Sequence, residues 1–338
     1  MKSKYMISIL IATLLVGCSS SGTDDETLVE QEIVDANGTD DSEITDTTPK
    51  DITDIILTNK SANCKEYVES YYSSVTDIQK DTSFTGTLEI ELDDEKCRFT
   101  SNSIPNHDFN DTSAHFASTV KEVSLDYSIT SNPSFASEVT ELALGANAIM
   151  LNGVKLDIIA AGCYGVGYGN IGCDDMDTPF RYDPMSSLVS FGTDSHNAHT
   201  QSTGQYHYHG DPVALYTNEE SSPIESPVIG FAKDGFPIFG MYYKDSNDVI
   251  QKTTSSYQLK TGARQTVDGT NPPANDDGTF ADYDGQFRDD YEYIEGLGVL
   301  DECNGMTLNG VYGYYVTDSF PWVLSCYKGT TDSSFELH

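Results

Sequence analysis

The sequence predicts a mainly β protein, a single large β-rich domain of hairpins with an N-terminal subdomain, stabilised by disulfides. Three observations predict it. Long stretches of helical periodicity are absent, whereas TGTLEIEL (85–92) and KEVSLDYSI (121–129) alternate apolar and polar residues as half-buried strands do. IMLNGVKL (149–156), FAKDGFPI (231–238) and MTLNGVYG (306–313) each place apolar arms around a two-residue turn able to take positive φ, the pattern of a hairpin and the mark of an internal structural repeat. Six cysteines remain once Cys18 is set aside, an even count that reads as a disulfide framework in an exported chain.

Export follows from the first residues. Lys2 and Lys4 precede an apolar run at 6–16 that is too short to span a bilayer and reads as a signal peptide over 1–17. The stretch LVGC (15–18) resembles the lipobox of bacterial lipoproteins, which implies lipidation at Cys18 and a membrane-tethered mature protein in the bacterial cell envelope. Ser19 at the next position favours the outer membrane. Residues 18–58 are rich in Ser, Thr, Asp and Glu and hold no aromatic residue, so they are expected to form an acidic, disordered stalk. An N-terminal subdomain is expected over 59–130, with CKEYVESYYSSV (64–75) as its short helix, and the principal domain over 131–338. Local pairing joins Cys64 to Cys97, Cys163 to Cys173 and Cys303 to Cys326, since each couple brackets one compact stretch.

The chain carries 18 basic against 54 acidic residues, a formal charge of −36. Nucleic acid and anionic lipid surfaces are thereby excluded as partners. Divalent cations and high ionic strength suit such a surface; acidity as a solubility device is the alternative.

Candidate chemistry concentrates in QYHYHGDP (205–212). Four of the seven histidines, His196, His199, His207 and His209, fall within one short window. In a strand, His207 and His209 project to one face while Tyr206 and Tyr208 project to the other and pack. Two imidazoles on one face can chelate a transition metal, and HNAH offers a third ligand from His199 or His196; His107 is a more distant candidate. Copper and zinc both accept nitrogen-rich sets, and three histidines with an open position resemble a catalytic site more than a closed structural one. Asp194 and Asp211 are candidates for orienting the ligating rings.

Two other classes compete. The tyrosine-rich composition, 21 Tyr against one Trp, suits an extracellular glycan-binding or adhesion module with structural histidines. A metal-free His/Tyr polysaccharide lyase would use histidine as base and tyrosine as acid, with Arg181 or Lys233 to neutralise the uronate. The carboxylate-dense loops CDDMD (173–177) and DDGTFADYDGQ (276–286) could hold calcium but lack EF-hand spacing, and read as solvated acidic loops.

GQYHYHGDP, followed by SPVIGFAKDGFPIFG (226–240), DYEYIEGLGVLDECNG (290–305) and TDSFPWVLSCYKGT (317–330), resembles the bacterial YHYH domain family, with SNSIPNHDF (101–109) and AAGCYG (160–165) extending the likeness. The resemblance implies a fold neighbourhood and no particular reaction. One departure matters: family members often carry a second Tyr/His-rich copy after the DECNG stretch, where this chain has VYGYY (311–315). A site would therefore rest on the first copy.

Overall fold

The structure, a computed structural model, describes residues 48–169 and 171–336. The expected signal peptide, Cys18 and most of the stalk lie outside them. Among the described residues no helix is long and apolar enough to cross a membrane.

The first five strands form one sheet in sequence order: β1 (Lys50–Asp51), β2 (Glu69–Asp77), β3 (Thr82–Asp93), β4 (Lys96–Ser101) and β5 (Leu125–Thr130). Because β1 pairs with β2 and Ile52 is buried, residues 48–58 belong to the fold and not to a stalk. The expected helix at 64–75 is corrected: a single 3-10 turn, Cys64–Tyr67, runs straight into β2. Two causes act together. The Cys64–Cys97 disulfide ties this segment to β4, and β2 buries Ser73, Val75 and Asp77 at a period of two, which no helix could do. The other two disulfides also join the expected couples, Cys163 to Cys173 and Cys303 to Cys326.

The change from one sheet to the next falls near residue 130. After β6 (Phe135–Glu141) come β7 (Ala148–Met150), β8 (Lys155–Leu156), β9 (Ala198–Thr200), β10 (Tyr206–Tyr208), β11 (Val228–Ala232) and β12 (Pro237–Phe239). Two short ribbons follow, β13 (Tyr242–Lys244) with β14 (Ile250–Lys252) and β15 (Tyr257–Leu259) with β16 (Tyr291–Tyr293); then β17 (Gly305–Leu308), β18 (Val311–Tyr315) and β19 (Cys326–Gly329), the last paired with β6. Ile149, Val228 and Phe231 of the larger sheet share a core with Leu88, Ile90 and Phe99 of the smaller, so the two sheets pack as one body.

The larger sheet has eight strands in the order β9-β10-β8-β7-β11-β12-β18-β17, and that order is symmetric about its centre. On both sides an inner hairpin meets an outer hairpin through a parallel contact, β8 with β10 and β12 with β18. The central register pairs Ile149 with Phe231, Met150 with Gly230 and Ala148 with Ala232, so a pseudo-twofold axis between Ile149 and Phe231 lays IMLNGVKL (149–156) on FAKDGFPI (231–238). Continuing outward it lays Tyr206, His207, Tyr208 and His209 on Tyr312, Gly313, Tyr314 and Tyr315, because Leu156 pairs with Tyr208 as Ile238 pairs with Tyr314.

The internal repeat is thus present, with one correction to its registration. MTLNGVYG does not match the other two hairpins; it is an edge hairpin, the counterpart of β9–β10. The turns explain the confusion. Gly153 (φ 82°) and Gly235 (φ 86°) close three-residue loops in which the glycine alone takes the left-handed region, whereas Asn309 and Gly310 both take it in a two-residue turn.

Candidate metal centre

Strands β8, β10 and β9 lie side by side, with Lys155 opposite His207 and His207 opposite His199. Cross-strand partners point to the same face, so this register builds a row of Lys155, His207 and His199, while Asp157 and His209 follow two residues on. His207 (2% exposed) and His209 (4%) are buried and His199 is half-buried at the edge.

The three imidazoles converge through Nε2. His209 Nε2 lies 3.2 Å from His207 Nε2 and 2.9 Å from His199 Nε2. His199 Nδ1 faces the Phe191 carbonyl and His207 Nδ1 lies 3.2 Å from the Gln205 carbonyl. A carbonyl only accepts, so in both rings Nδ1 carries the proton and Nε2 presents a lone pair. His209 has at most one proton to offer two lone pairs, and its own Nδ1 makes no hydrogen bond. Three nitrogens arranged this way suit a cation. The spacing is close to that of a bound ion: tetrahedral zinc with Zn–N of ~2.05 Å separates its ligand nitrogens by ~3.3 Å, against the 3.2 and 2.9 Å that His209 Nε2 keeps from the other two, and the three ligand atoms lie within 4.8 Å of one another. Burial, reinforced by mutual repulsion among the rings, holds His207 and His209 well below the ordinary imidazole pKa, which keeps them neutral as ligands must be.

Two expected ligands lie elsewhere. The His107 and His196 rings lie against each other at a tilt, with centroids 4.0 Å apart, and neither belongs to the group whose ligand atoms converge. They serve the tyrosine face. Tyr208 Oη lies 2.7 Å from His107 Nε2 and accepts from Asn152 Nδ2 at 2.9 Å, and burial with the neighbouring His196 ring drives the His107 pKa down to about 3. His196 fails as a ligand because Asn197 takes a left-handed conformation (φ 61°) and turns the chain between it and His199.

The carboxylates expected to orient the ligands are also corrected. Asp194 accepts from the Tyr206 hydroxyl (2.9 Å) and the Asn110 amide on Oδ2, and from the amides of His196 and Ala198 on Oδ1. Asp211 accepts from Tyr216, and burial pushes its carboxyl up to about 7. Neither touches an imidazole of the trio; the His199 and His207 rings are oriented by backbone carbonyls instead.

The polar residues that do share the imidazole face escaped the sequence reading. Lys155 (3% exposed) donates to Asp157 Oδ2 at 3.1 Å, and Gln201 Nε2 donates to the same oxygen at 3.0 Å. A signal existed: Lys155 and Asp157 are two charges at strand spacing inside the otherwise apolar run VKLDIIAAG (154–162).

The competing arrangements lose their geometry. A lyase needs its base and acid at one open site, whereas the tyrosines of YHYH face away from His207 and His209 and are fully buried. Arg181 spends its guanidinium on the carbonyls of Ala160, Cys173 and Asp175, and Lys233 sits at the tip of β11–β12 in the other half of the sheet. Tyr206, Tyr208, Tyr216, Tyr314 and Tyr327 are core residues, so much of the tyrosine content is interior and unavailable to a glycan. The acidic loops turn inward on themselves: Asp175 accepts from the Asp177 amide and Asp277 from Thr279. Among the described residues the imidazole trio is the group with converging ligand atoms.

A family model described as YHYH protein matches residues 126–329. No curated protein and no solved structure matches the chain.

Proposed function

The chain belongs to the YHYH protein family, whose match spans every strand of the imidazole site, and from that premise we propose that it is a transition-metal-binding protein of the bacterial cell envelope, holding copper or zinc through His199, His207 and His209. The observation that carries this reading is the convergence of three Nε2 atoms, two of them forced by backbone carbonyls to present lone pairs. Three neutral nitrogens leave at least one coordination position open, as in sites that act on a ligand.

Metal analysis of the untagged mature protein, stripped with chelator and then exposed separately to copper and zinc, tests the reading. One equivalent should be retained. The double variant His207→Ala, His209→Ala should retain none, while His107→Ala and His196→Ala keep it. A wild-type protein without metal after both exposures, or a double variant that still binds a full equivalent, overturns the assignment. The proposed tether is tested separately, since Cys18→Ala should move the protein from the membrane fraction to the soluble one.

A further inference from the structure

Beside the imidazoles lies a buried pair that ligation leaves unused. Lys155 and Asp157 form an ion pair with side chains 4% and 5% exposed, on the same face of the sheet as the trio and one strand away. Neither group is saturated. An ammonium carries three donors, and Asp157 is the single hydrogen-bond acceptor that the described residues give Lys155. The Asp157 carboxylate receives both its side-chain donors on Oδ2; Oδ1 is buried and makes no hydrogen bond, although the Gly145 amide lies close enough to the carboxylate to favour its charged form. A buried acceptor and a buried ammonium, each with unfilled capacity, cost free energy unless a small bound species satisfies them.

Charge points to what that occupant is. The imidazoles are neutral, and Lys155 and Asp157 cancel. A divalent ion on the three Nε2 atoms would then leave two positive charges uncompensated in a buried site, and the Lys155 ammonium would add its own repulsion nearby. A monoanion on the metal halves the first penalty and turns the second into an attraction. It has to be small, because His207, His209, Lys155 and Asp157 are all nearly closed off from solvent.

We propose that Lys155 and Asp157 complete the metal site as a cradle for a small inorganic anion on the open coordination position, with Lys155 Nζ donating to the anion and Asp157 Oδ1 accepting from it when it is hydroxide or water. This rests on the metal reading above. Binding is ligand exchange at the metal: the anion displaces water, and no electron or group transfer is involved.

Azide is the probe. The copper(II)-loaded, full-length mature protein is titrated with azide and followed by the azide-to-copper charge-transfer band, with copper content measured in the same samples. Wild type should bind azide, and Lys155→Met should bind it about tenfold or more weakly with one equivalent of copper retained, the loss expected for one charge-assisted hydrogen bond. If Lys155→Met does not fold because Asp157 is left charged and unpaired, Lys155→Met with Asp157→Leu removes both charges and should show the same loss. Equal azide affinity in wild type and variant, at full copper occupancy, overturns the cradle and leaves the metal reading standing. Loss of copper from the Lys155 variants also overturns it, since Lys155 would then support the ligands and not the anion. Wild type that takes no copper overturns this proposal, and the metal reading falls with it only if zinc is refused as well.

Discussion

The two halves of the eight-stranded sheet were built to one plan and diverge on one face. On the tyrosine face the correspondence is close. Tyr206 donates to Asp194 and Tyr312 to Asp301; Asp194 Oδ1 accepts from the amides two and four residues on, and Asp301 Oδ1 does the same. Asn197 and Asn304 take the left-handed region at the same step, and Tyr208 meets Asn152 as Tyr314 meets Asp234. The opposite face shares nothing. Where one half has Lys155, His199, His207 and His209, the other has Pro237, Met306, Gly313 and Tyr315, and the place of Asp157 is taken by Phe239, whose ring stacks on Tyr315 at 5.0 Å. The same hairpins therefore fold with or without imidazoles. What both halves keep is what the fold needs, and what one half alone carries is free to be chemistry.

The strongest way to break that comparison is to cut the shared framework. Asp194→Ala strands a buried tyrosine hydroxyl and three backbone amides, and should cost ~3–5 kcal/mol of stability. Asp301→Ala, at a half-buried position, should cost ~1–3 kcal/mol. Urea unfolding of the two variants measures both, and negligible loss in either would deny the framework its structural role.

Removing the unshared face should act differently. His209→Ala should weaken metal binding by more than ~100-fold, above the loss typical of groups that merely orient a ligand, while metal-free unfolding midpoints stay close to wild type. A collapse of the metal-free fold would show the histidines to be packing residues after all.

A third substitution sharpens the comparison from the other side. A Cβ at Gly313, the counterpart of His207, would sit 2.6 Å from the Phe239 ring, so Gly313→Ala should destabilise by ~1–3 kcal/mol. Combining it with Phe239→Ala should recover part of that loss; no recovery would mean that Phe239 does not fill the imidazole's place.

The smallest effect is on pH dependence. The depressed pKa values of His207, His209 and His107 mean that in these rings the unfolded chain binds protons first as pH falls, so their contribution to metal-free stability should be constant above about 6.5 and be lost below it, opposed by Asp211, whose raised carboxyl is protonated first in the folded state. Bound metal should likewise persist to pH values below 6.5 before protons displace it. The double variant His207→Ala, His209→Ala should show a shallower decline in stability, measured by unfolding at a series of pH values.

How much of this was legible beforehand follows from the range of the forces involved. The sequence alone determined the β class, the three disulfide couples and the opposition of histidines to tyrosines in YHYH, because a strand's period of two, a glycine's access to positive φ and the closure of a short loop are decided within a few bonds. It also made 64–75 look helical, since an apolar pattern at that length cannot show that β3 and a disulfide are waiting to pair it. Only the tertiary structure decided that His199 joins His207 and His209 while His196 and His107 do not, and that Lys155 and Asp157 share their face. Those choices depend on the antiparallel register of β9 with β10 and the parallel contact of β8 with β10, pairings across tens of residues that are set by how two sheets bury a common core. Periodicity tells which way a side chain points; only register tells what it meets there.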